Sequence, residues 1–383
     1  MSETPSIVAE VVPSAREIDA DDWNALAGSD NPFTQHGFFG ALEDSRSACA
    51  ETGWMACHIV IRSQSGTPDA IMPCYMKTHS QGEYVFDYSW ADAYHRAGGD
   101  YYPKLQASVP FTPATGPRLL ARTPAHKSAL LQAAQAFVRQ KDISGLHLTF
   151  LEDADKQACE RAGFAIRTDQ QFHWKNDGYS DFDDFLAALS SRKRKNIRKE
   201  RKQALSAGLK VEHLTGEDIT EAHWDAYYQF YEDTGMRKWG QPYLNRAFFS
   251  LLSQYLGDRV LLILASNAGR YVAGALNLIG ETTLFGRYWG AIEHHPCLHF
   301  ELCYYQAIDY AIAAGMKTVE AGAQGEHKLA RGYVPTQTYS AHWLSDPGFQ
   351  SAVENYLVRE RAAVAQNIEA LTQFTPFKLE NRP

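Results

Sequence analysis

Cysteine is scarce in this sequence, and the few cysteines lie far apart. No two of them form a Cys-x-x-Cys pair or another spacing typical of zinc ligands, which argues against a zinc site and against a disulfide framework. We therefore expect small buried thiols in a reducing compartment. The six are Cys49, Cys57, Cys74, Cys159, Cys297 and Cys303.

Long apolar runs and a targeting segment are also missing. The first residues, Met-Ser-Glu-Thr-Pro-Ser, have neither a basic start nor an apolar block. No run approaches the roughly 18 apolar residues that a membrane-spanning helix needs. The sequence therefore predicts no transmembrane segment and a cytoplasmic protein.

Positive charge is outnumbered, and the net charge of −8 argues against general coating of nucleic acid. Hydrophobic residues make up 45% and aromatic residues 12% of the chain, enough for a sizeable core and for aromatic clefts. A length of 383 residues suits two domains at the usual size of roughly 100 to 200 residues each.

The order of predicted elements repeats. Three apolar segments at 54–62, 70–78 and 83–90 read as an antiparallel meander, followed by helix, strand, helix and strand. A second meander, at 259–266, 271–279 and 283–289, opens the same series again. Gly163-Phe164 with His173-Trp174 recurs as Gly332-Tyr333 with His342-Trp343, at a constant offset of 169. We expect a duplicated α/β (α+β) unit, with domains at 1–180 and 181–383.

A glycine- and proline-rich loop from 91 to 118 accounts for the extra length of the first half. Unstructured loops of this length are often functional, so we expect it to be a lid or a substrate wall that includes Tyr94.

The most polar segment follows a short predicted strand at 316–319. Open α/β sheets place ligands at the carboxyl ends of their strands, so this glycine-jointed loop is a candidate active site. The alternative is a solvated turn. Its polar residues are Glu320, Gln324, Glu326, His327, Lys328 and Arg331.

A second concentration of charge opens the second half. Eight of the eleven residues from Arg192 to Lys202 are Lys or Arg, and apolar residues recur at helical spacing, which predicts an amphipathic basic helix at about 186–206. Its cationic face, with Arg194, Lys195 and Arg198, suits a nucleotide phosphate, an RNA backbone or an anionic lipid headgroup; a solvated helix face is the alternative.

A predicted turn carries Arg237, Lys238 and Trp239. Cations beside an aromatic ring suit a substrate with a charged group and a flat or sugar-like part, although packing explains the turn equally well. The isolated histidines, including His173 and His342, are interpreted as structural.

Two such units joined through Ser-Arg-Lys-Arg-Lys-Asn-Ile-Arg-Lys resemble the FemAB-like branch of the GNAT acyltransferase superfamily. The most specific match is Glu-Ala-Gly-Ala-Gln-Gly-Glu-His-Lys, at 320–328, supported by Arg-Lys-Trp-Gly at 237–240. The resemblance implies two tandem GNAT-like domains, each a mixed, largely antiparallel sheet flanked by helices. It also implies transfer of an acyl or aminoacyl group to an amine, with a cell-wall precursor as a candidate acceptor.

One departure from the superfamily concerns the donor. The glycine-containing pattern that cradles the pyrophosphate of CoA is absent, and the corresponding stretch, 293–301, is Glu-His-His-Pro-Cys-Leu-His-Phe-Glu. No cofactor is therefore assigned, and the donor is left open between acyl-CoA and aminoacyl-tRNA. The remaining alternatives are a recognition module for peptidoglycan precursors without turnover, and a small-molecule N-acyltransferase that uses acyl-CoA.

Within the candidate loop, the resemblance suggests roles for single residues. Glu320 or Glu326 would be the base that accepts the proton of the amine, with His327 as the alternative. Lys328 and Arg331 would hold an anionic part of the donor or of an anionic acceptor.

Overall fold

The computed structural model describes residues 8–239, 241–322 and 325–378, with the backbone alone at 238 and 239. Its first half has the strands β1 (Ala9–Val12), β2 (Trp54–Ala56), β3 (His58–Arg62), β4 (Pro68–Met72), β5 (Tyr75–Lys77), β6 (Lys104–Ala107), β7 (Leu120–Ala121), β8 (Gly145–Thr149) and β9 (Ala165–Lys175). The helices of this half are α1 (Ala20–Ala27), α2 (His36–Asp44), α3 (Tyr88–Arg96), α4 (Pro124–Gln140) and α5 (Asp153–Arg161).

The second half has the strands β10 (Lys210–Thr215), β11 (Val260–Asn267), β12 (Arg270–Ile279), β13 (Thr283–Ala291), β14 (Thr318–Glu320) and β15 (Val334–Leu344). Its helices are α6 (Phe182–Ala188), α7 (Ser191–Ala204), α8 (Glu221–Trp239), α9 (Arg246–Leu256), α10 (Leu298–Phe300), α11 (Gln306–Ala313) and α12 (Pro347–Thr372). A π-helical turn, Glu301–Tyr305, joins α10 to α11, and a 3₁₀ segment, Glu326–Arg331, lies between β14 and β15.

These elements form two compact units. Unit 1 holds the residues up to Ser29, Phe33–Asp169 and Thr338–Val364, and unit 2 holds Asp30–Pro32, Gln170–Gln337 and the residues from Ala365 onward. The compact units therefore differ from the contiguous domains 1–180 and 181–383 that the sequence predicts.

The difference arises from β9 and β15, each of which runs from one unit into the other. β9 pairs with β14 in unit 2, where His173 lies opposite Glu320, and β15 pairs with β8 in unit 1, where His342 lies opposite His147. The two strands match residue for residue at the offset of 169 (334 minus 165, and 344 minus 175). The final strand of each half of the sequence thus completes the sheet of the other unit.

In unit 1, neighbouring strands follow the order β15-β8-β6-β5-β2, and a smaller sheet has the order β1-β3-β4-β7. Apolar side chains of β6 and β8 pack with α4 and α5 into one core. The predicted strand at 83–90 is wrong, because residues 78–87 lack regular structure and α3 follows at Tyr88. The third strand of the meander is β6, inside the segment predicted to be a long loop.

In unit 2, the strand order is β10-β11-β12-β13-β14-β9, and β13–β14 is the parallel pair among antiparallel neighbours. Its core joins this sheet to the π-helical turn and α11. The predicted class, a mixed and largely antiparallel sheet flanked by helices, is confirmed in both units.

The basic helix is α7, and it is shorter than the predicted 186–206. Leu189 and Ser190 have extended backbones that separate it from α6. The backbone near the end of the described chain pairs there, since Ser190 N donates to Pro376 O and Leu189 forms a bridge with Phe377. A main-chain partner outside the helix therefore stops helical pairing at this point.

Candidate active site in unit 2

The parallel strands of unit 2 separate soon after they meet. Pairing covers three positions, ending at Phe285 opposite Glu320, whereas β13 continues to Ala291. A register shift between Leu276 and Asn277 of β12 also bends the neighbouring pair. Where β14 stops, a small pocket opens, with a cavity volume of about 80 Å³. It is lined by Ala275, Leu276, Asn277, Gly286, Arg287, Tyr288, Trp289, His299, Cys303, Tyr304 and Ala321.

The π-helical turn supplies one wall of this pocket. Such turns insert an extra residue into a helix and occur frequently at functional sites. Here the turn brings Cys303 and Tyr304 to the pocket. The Tyr304 hydroxyl lies 2.8 Å from Nε2 of His327, and burial raises the pKa of Tyr304. Tyr304 thus remains protonated at neutral pH and links the helix to the candidate loop.

Glu320 ends β14 beside the pocket and is only 6% exposed. Its carboxylate lies 3.7 Å from Arg287 Nη2 and 3.9 Å from His173 Nε2. Burial, reinforced by the nearby cations of Lys175, Arg287 and Lys328, lowers the pKa of His173 to about 3. The imidazole is therefore neutral, and the guanidinium of Arg287 is the charge that balances Glu320. His173 Nε2 lies 3.1 Å from Gln171 Oε1, which agrees with the interpretation of His173 as a structural histidine.

Lys328 is a buried lysine of the 3₁₀ segment. It is 2% exposed, and its Nζ donates to the carbonyl of Gly322 at 2.9 Å. Burial and the repulsion of Arg287, partly opposed by Cys303, lower the pKa of Lys328 to about 7. An amine with that pKa can both accept and release a proton near neutral pH, which is the property that proton transfer in catalysis requires.

Arg331 anchors the 3₁₀ segment. Its guanidinium donates to the carbonyl of His327 at 2.6 Å and to the Glu200 carboxylate at 2.9 Å, and it stacks 3.4 Å above the ring of Phe300. Tyr305 of the π-helical turn also donates to Glu200. Arg331 thus ties the candidate loop to α7. Direct contact between Arg331 and a substrate stays a prediction.

The start of the 3₁₀ segment requires glycine. Gly325 has φ +118°, and a Cβ there would lie 2.5 Å from Cε1 of His327. Glu326 and His327 are both exposed, and no described residue bonds to the Glu326 carboxylate. The predicted residue Gln324 lies outside the described residues. The loop therefore presents Glu326 and His327 outward and holds Lys328 inside.

The cations of α7 are not confined to one side of the helix. Lys193 and Arg194 lie one helical turn before the buried Ile197 and are half-buried, whereas Arg192, Lys195, Lys199 and Lys202 are exposed. Arg198 pairs with Asp183, and Arg201 pairs with Glu301 and Asp309. Within the described part of the chain, no carboxylate forms an ion pair with the other six cations. These six, which we call the basic face, are Arg192, Lys193, Arg194, Lys195, Lys199 and Lys202.

Two predicted binding residues have local partners. The backbone is helical through Trp239, so the predicted turn at 237–239 is wrong. Arg237 pairs with Asp233 and donates to the carbonyl of Ala291 at 3.0 Å, and the side chains of Lys238 and Trp239 lie outside the described residues. In unit 1, Tyr94 stacks on Phe349 with ring centroids 4.5 Å apart.

The corresponding place in unit 1 is filled by protein. There β6 and β8 also pair in parallel over three positions, ending at Ala107 opposite Leu148. Beyond them, the buried guanidinium of Arg118 donates to the carbonyls of Thr149 at 2.9 Å and Ala114 at 2.6 Å. The two copies of the architecture have thus diverged at this position.

The start of α10 bears on the choice of donor. Glu293 precedes it, bonds to His295 at 2.9 Å and pairs with Arg270, and these contacts lower the pKa of Glu293. Arg270 balances the charge of this carboxylate, so the absence of the glycine-containing pattern at 293–301, and not repulsion by Glu293, is what argues against CoA. Among the described residues, no group of three or more His, Cys, Asp or Glu side chains could hold a metal ion.

Comparison with known structures supports the fold. FemX superposes with a TM-score of 0.56 at 12% identity, covering 88% of this chain and 98% of FemX. L-PGS from Bacillus licheniformis superposes with a TM-score of 0.52 at 10% identity, covering 86% and 98%. A search of curated proteins found no match. None of the helices in the described ranges has the length and hydropathy of a membrane span.

A comparison with protein-family models assigns the chain to a family. The family model described as peptidoglycan biosynthesis/recognition matches residues 14–379, nearly the whole chain. This match spans both units and includes the pocket, the 3₁₀ segment and the basic face. The chain therefore belongs to the FemAB-like family of peptidoglycan biosynthesis and recognition proteins.

Proposed function

We propose that this protein is an aminoacyltransferase or acyltransferase that acts on an amine of a cell-wall precursor, and that transfer takes place in the pocket between β13 and β14. Family membership supports the reaction and the acceptor class. The observation that carries the location is the buried Lys328, whose pKa is lowered to about 7 beside a pocket at the open end of a strand.

In the proposed reaction, the acceptor nitrogen attacks the acyl carbonyl of the donor. For an aminoacyl-tRNA donor, a C–N bond forms, the bond from the carbonyl carbon to the ester oxygen of the tRNA breaks, the nitrogen loses a proton and the leaving oxygen gains one; with acyl-CoA the leaving atom would be the thioester sulfur. His327, which is exposed and whose Nε2 lies 2.8 Å from the Tyr304 hydroxyl, would accept the proton from the amine. Lys328 supplies a proton to the leaving oxygen, and Glu320 holds Arg287 at the pocket wall.

Two observations favour aminoacyl-tRNA over acyl-CoA as the donor. The basic face of α7 offers six cations without carboxylate partners among the described residues, which suits a polyanion longer than a single pyrophosphate. The glycine-containing stretch that cradles the pyrophosphate of CoA is absent from 293–301. Such a donor and the six free cysteines also support a cytoplasmic location.

The test is a transfer assay with a purified muramyl-peptide precursor as acceptor and radiolabelled aminoacyl-tRNA or acyl-CoA as donor. We expect label to move from the tRNA to the precursor, and we expect Lys328→Met to lose at least about 100-fold in rate, in line with the loss of one proton-transfer group. Lys317→Met, which changes an exposed lysine just before β14, is the matched control and should retain activity. Wild-type rates in Lys328→Met would contradict the proposed site.

A further inference from the structure

Glu200 is the only carboxylate in the basic run of α7, where it stands among eight cations from Arg192 to Lys202. The helix packs through Ile197 and Ala204, which are both buried, and Glu200 lies on the same side, three residues after the first and four before the second. A carboxylate repels the phosphates of a polyanion, so the binding of tRNA gives no reason for an acid at this position. Its contacts inside unit 2 point to another role.

The Glu200 carboxylate accepts hydrogen bonds from two elements of the candidate site. Nη2 of Arg331 donates to both of its oxygens, at 3.0 and 2.9 Å. The Tyr305 hydroxyl also donates to it. Burial, followed by the hydrogen bond to Glu200, raises the pKa of Tyr305, so this hydroxyl keeps its proton and stays a donor. One carboxylate of α7 thus joins the 3₁₀ segment to the π-helical turn.

Both donors lead to His327. Nη1 of Arg331 donates to the His327 carbonyl at 2.6 Å. Tyr304, the neighbour of Tyr305 in the π-helical turn, places its hydroxyl 2.8 Å from His327 Nε2. The guanidinium of Arg331 also lies 3.4 Å above the ring of Phe300, whose centroid is 5.8 Å from that of the His327 ring. The main chain and the ring of His327 are therefore held through separate contacts that meet at one carboxylate of α7.

The 3₁₀ segment needs support of this kind from side chains. It spans six residues, Glu326–Arg331, whereas 3₁₀ runs longer than three or four residues are uncommon because their hydrogen bonds are poorly aligned. Gly325, with φ +118°, and Gly332, with φ +91°, flank it. Because glycine tolerates many backbone conformations, these two joints do not by themselves fix the direction of the segment. The pair of Arg331 and Glu200 is one of the contacts that do so.

The next residue, Arg201, holds the helix itself. It donates to Glu301 at 2.9 Å and to Asp309 at 2.6 Å, and within the described ranges none of its hydrogen bonds or ion pairs involves the 3₁₀ segment. These bonds and the buried Ile197 keep α7 against the π-helical turn and α11. Loss of the charge of Glu200 should therefore leave the helix docked, so the role of Glu200 can be separated from stability.

We infer that Glu200 is a positioning residue for acyl transfer, which fixes His327 through Arg331 on one side and through the π-helical turn on the other. The inference rests on the proposed function, in which His327 accepts the proton of the amine. Glu200 holds the imidazole where that proton leaves the acceptor nitrogen, and a displacement of reacting groups by about 1 Å can cost about 100-fold in rate. The helix that carries the basic face and the proton acceptor are thereby joined through one side chain.

The test compares wild type with Glu200→Gln in steady-state transfer at varied aminoacyl-tRNA concentration and in filter binding of the same tRNA. Gln keeps the size of the side chain and removes the charge that pairs with Arg331. We expect kcat to fall at least about tenfold. The KM for aminoacyl-tRNA and the Kd for tRNA should stay unchanged or decrease, because removal of a negative charge does not weaken phosphate binding. Asp183→Asn, which removes the exposed partner of Arg198 on the same helix, is the matched control and should keep the wild-type kcat.

Amide hydrogen exchange gives a second readout that needs no donor. We expect the amides of 326–331 to exchange faster in Glu200→Gln than in wild type, whereas those of β11 and β12 should not change. Unchanged exchange in the 3₁₀ segment, an unchanged kcat, or a loss of kcat matched by weaker tRNA binding would overturn the inference. Should Glu200→Gln fail to fold, Glu200→Asp, which draws the carboxylate back by one methylene, takes its place with the same expected results. A wild-type protein that transfers nothing would refute the proposed function, and the exchange experiment would still decide whether Glu200 positions His327.

Discussion

Lys328 should make the stability of this protein depend on pH in a way that one substitution removes. The pKa of Lys328 falls from an ordinary value near 10.5 to about 7 on folding. Between these values the unfolded chain binds more protons than the folded chain, so the contribution of this residue to stability increases as pH rises from 7 to 10.5. Below pH 7 both states are protonated, and the full cost of the buried charge is present.

The magnitude follows from the same linkage. Each pH unit in this window changes the free energy of unfolding by up to about 1.4 kcal/mol. Because the folded group is half protonated at pH 7, the gain by pH 9 is about 2 kcal/mol. Lys328→Met has no such gain, so the difference in stability between wild type and variant should shift by that amount in favour of wild type between the two pH values.

The assay is denaturant unfolding of both proteins at pH 7 and pH 9, followed by circular dichroism. Comparison with the variant cancels other groups that titrate in this range, including Lys77, since both proteins contain them. Lys317→Met, at an exposed position, should show no shift. A difference between wild type and Lys328→Met that stays constant across the two pH values would refute the account of Lys328 as a desolvated amine.

Three further predictions concern the candidate site. His327→Ala should abolish transfer without lowering the melting temperature. The transfer rate of Glu326→Gln tells whether the Glu326 carboxylate takes part in catalysis. Loss of activity that merely follows a loss of melting temperature would contradict the assignment of this loop as the active site. Arg331→Met should lower both the transfer rate and the melting temperature, because Glu200 and the His327 carbonyl lose their donor. An unchanged transfer rate would show that these contacts of Arg331 are dispensable for transfer. Replacing four cations of the basic face by Gln should weaken tRNA binding and flatten its dependence on salt, and an unchanged salt slope would assign the face to solvent; the four are Arg194, Lys195, Lys199 and Lys202.

The repeat could be predicted because short sequence motifs and turn residues recur in the same order in both halves of the chain. The echo around His173 and His342 marks strands that match over their whole length, and the turn chemistry of the second meander agrees with β11, β12 and β13. The segment 83–90 misled the prediction because its apolar residues resemble a strand, whereas Glu83 and Asp87 are held by Lys104, a contact distant in sequence.

The candidate site could be predicted only in part. The polar residues of the loop at 320–333 indicated a candidate site. The pocket, however, depends on where the parallel strands β13 and β14 stop pairing, and no local sequence pattern predicts that position. Arg287, Cys303 and Tyr304 were missed for the same reason, since each belongs to a strand or helix whose sequence looks like core. Arg287 followed by the two aromatic residues Tyr288 and Trp289 was the available signal.

The exchange of β9 and β15 has a consequence for biosynthesis. A ribosome releases the chain from its amino terminus, yet unit 1 lacks β15 and its share of α12 until residues 338–364 have emerged. All strands of the unit 2 sheet, from β9 to β14, are available before that point, so unit 2 can complete its sheet while unit 1 still waits for β15. We therefore expect unit 1 to finish folding only after residues 338–364 have emerged, and a gene cut at the midpoint should yield two fragments that remain aggregation-prone apart and recover native structure only when expressed together.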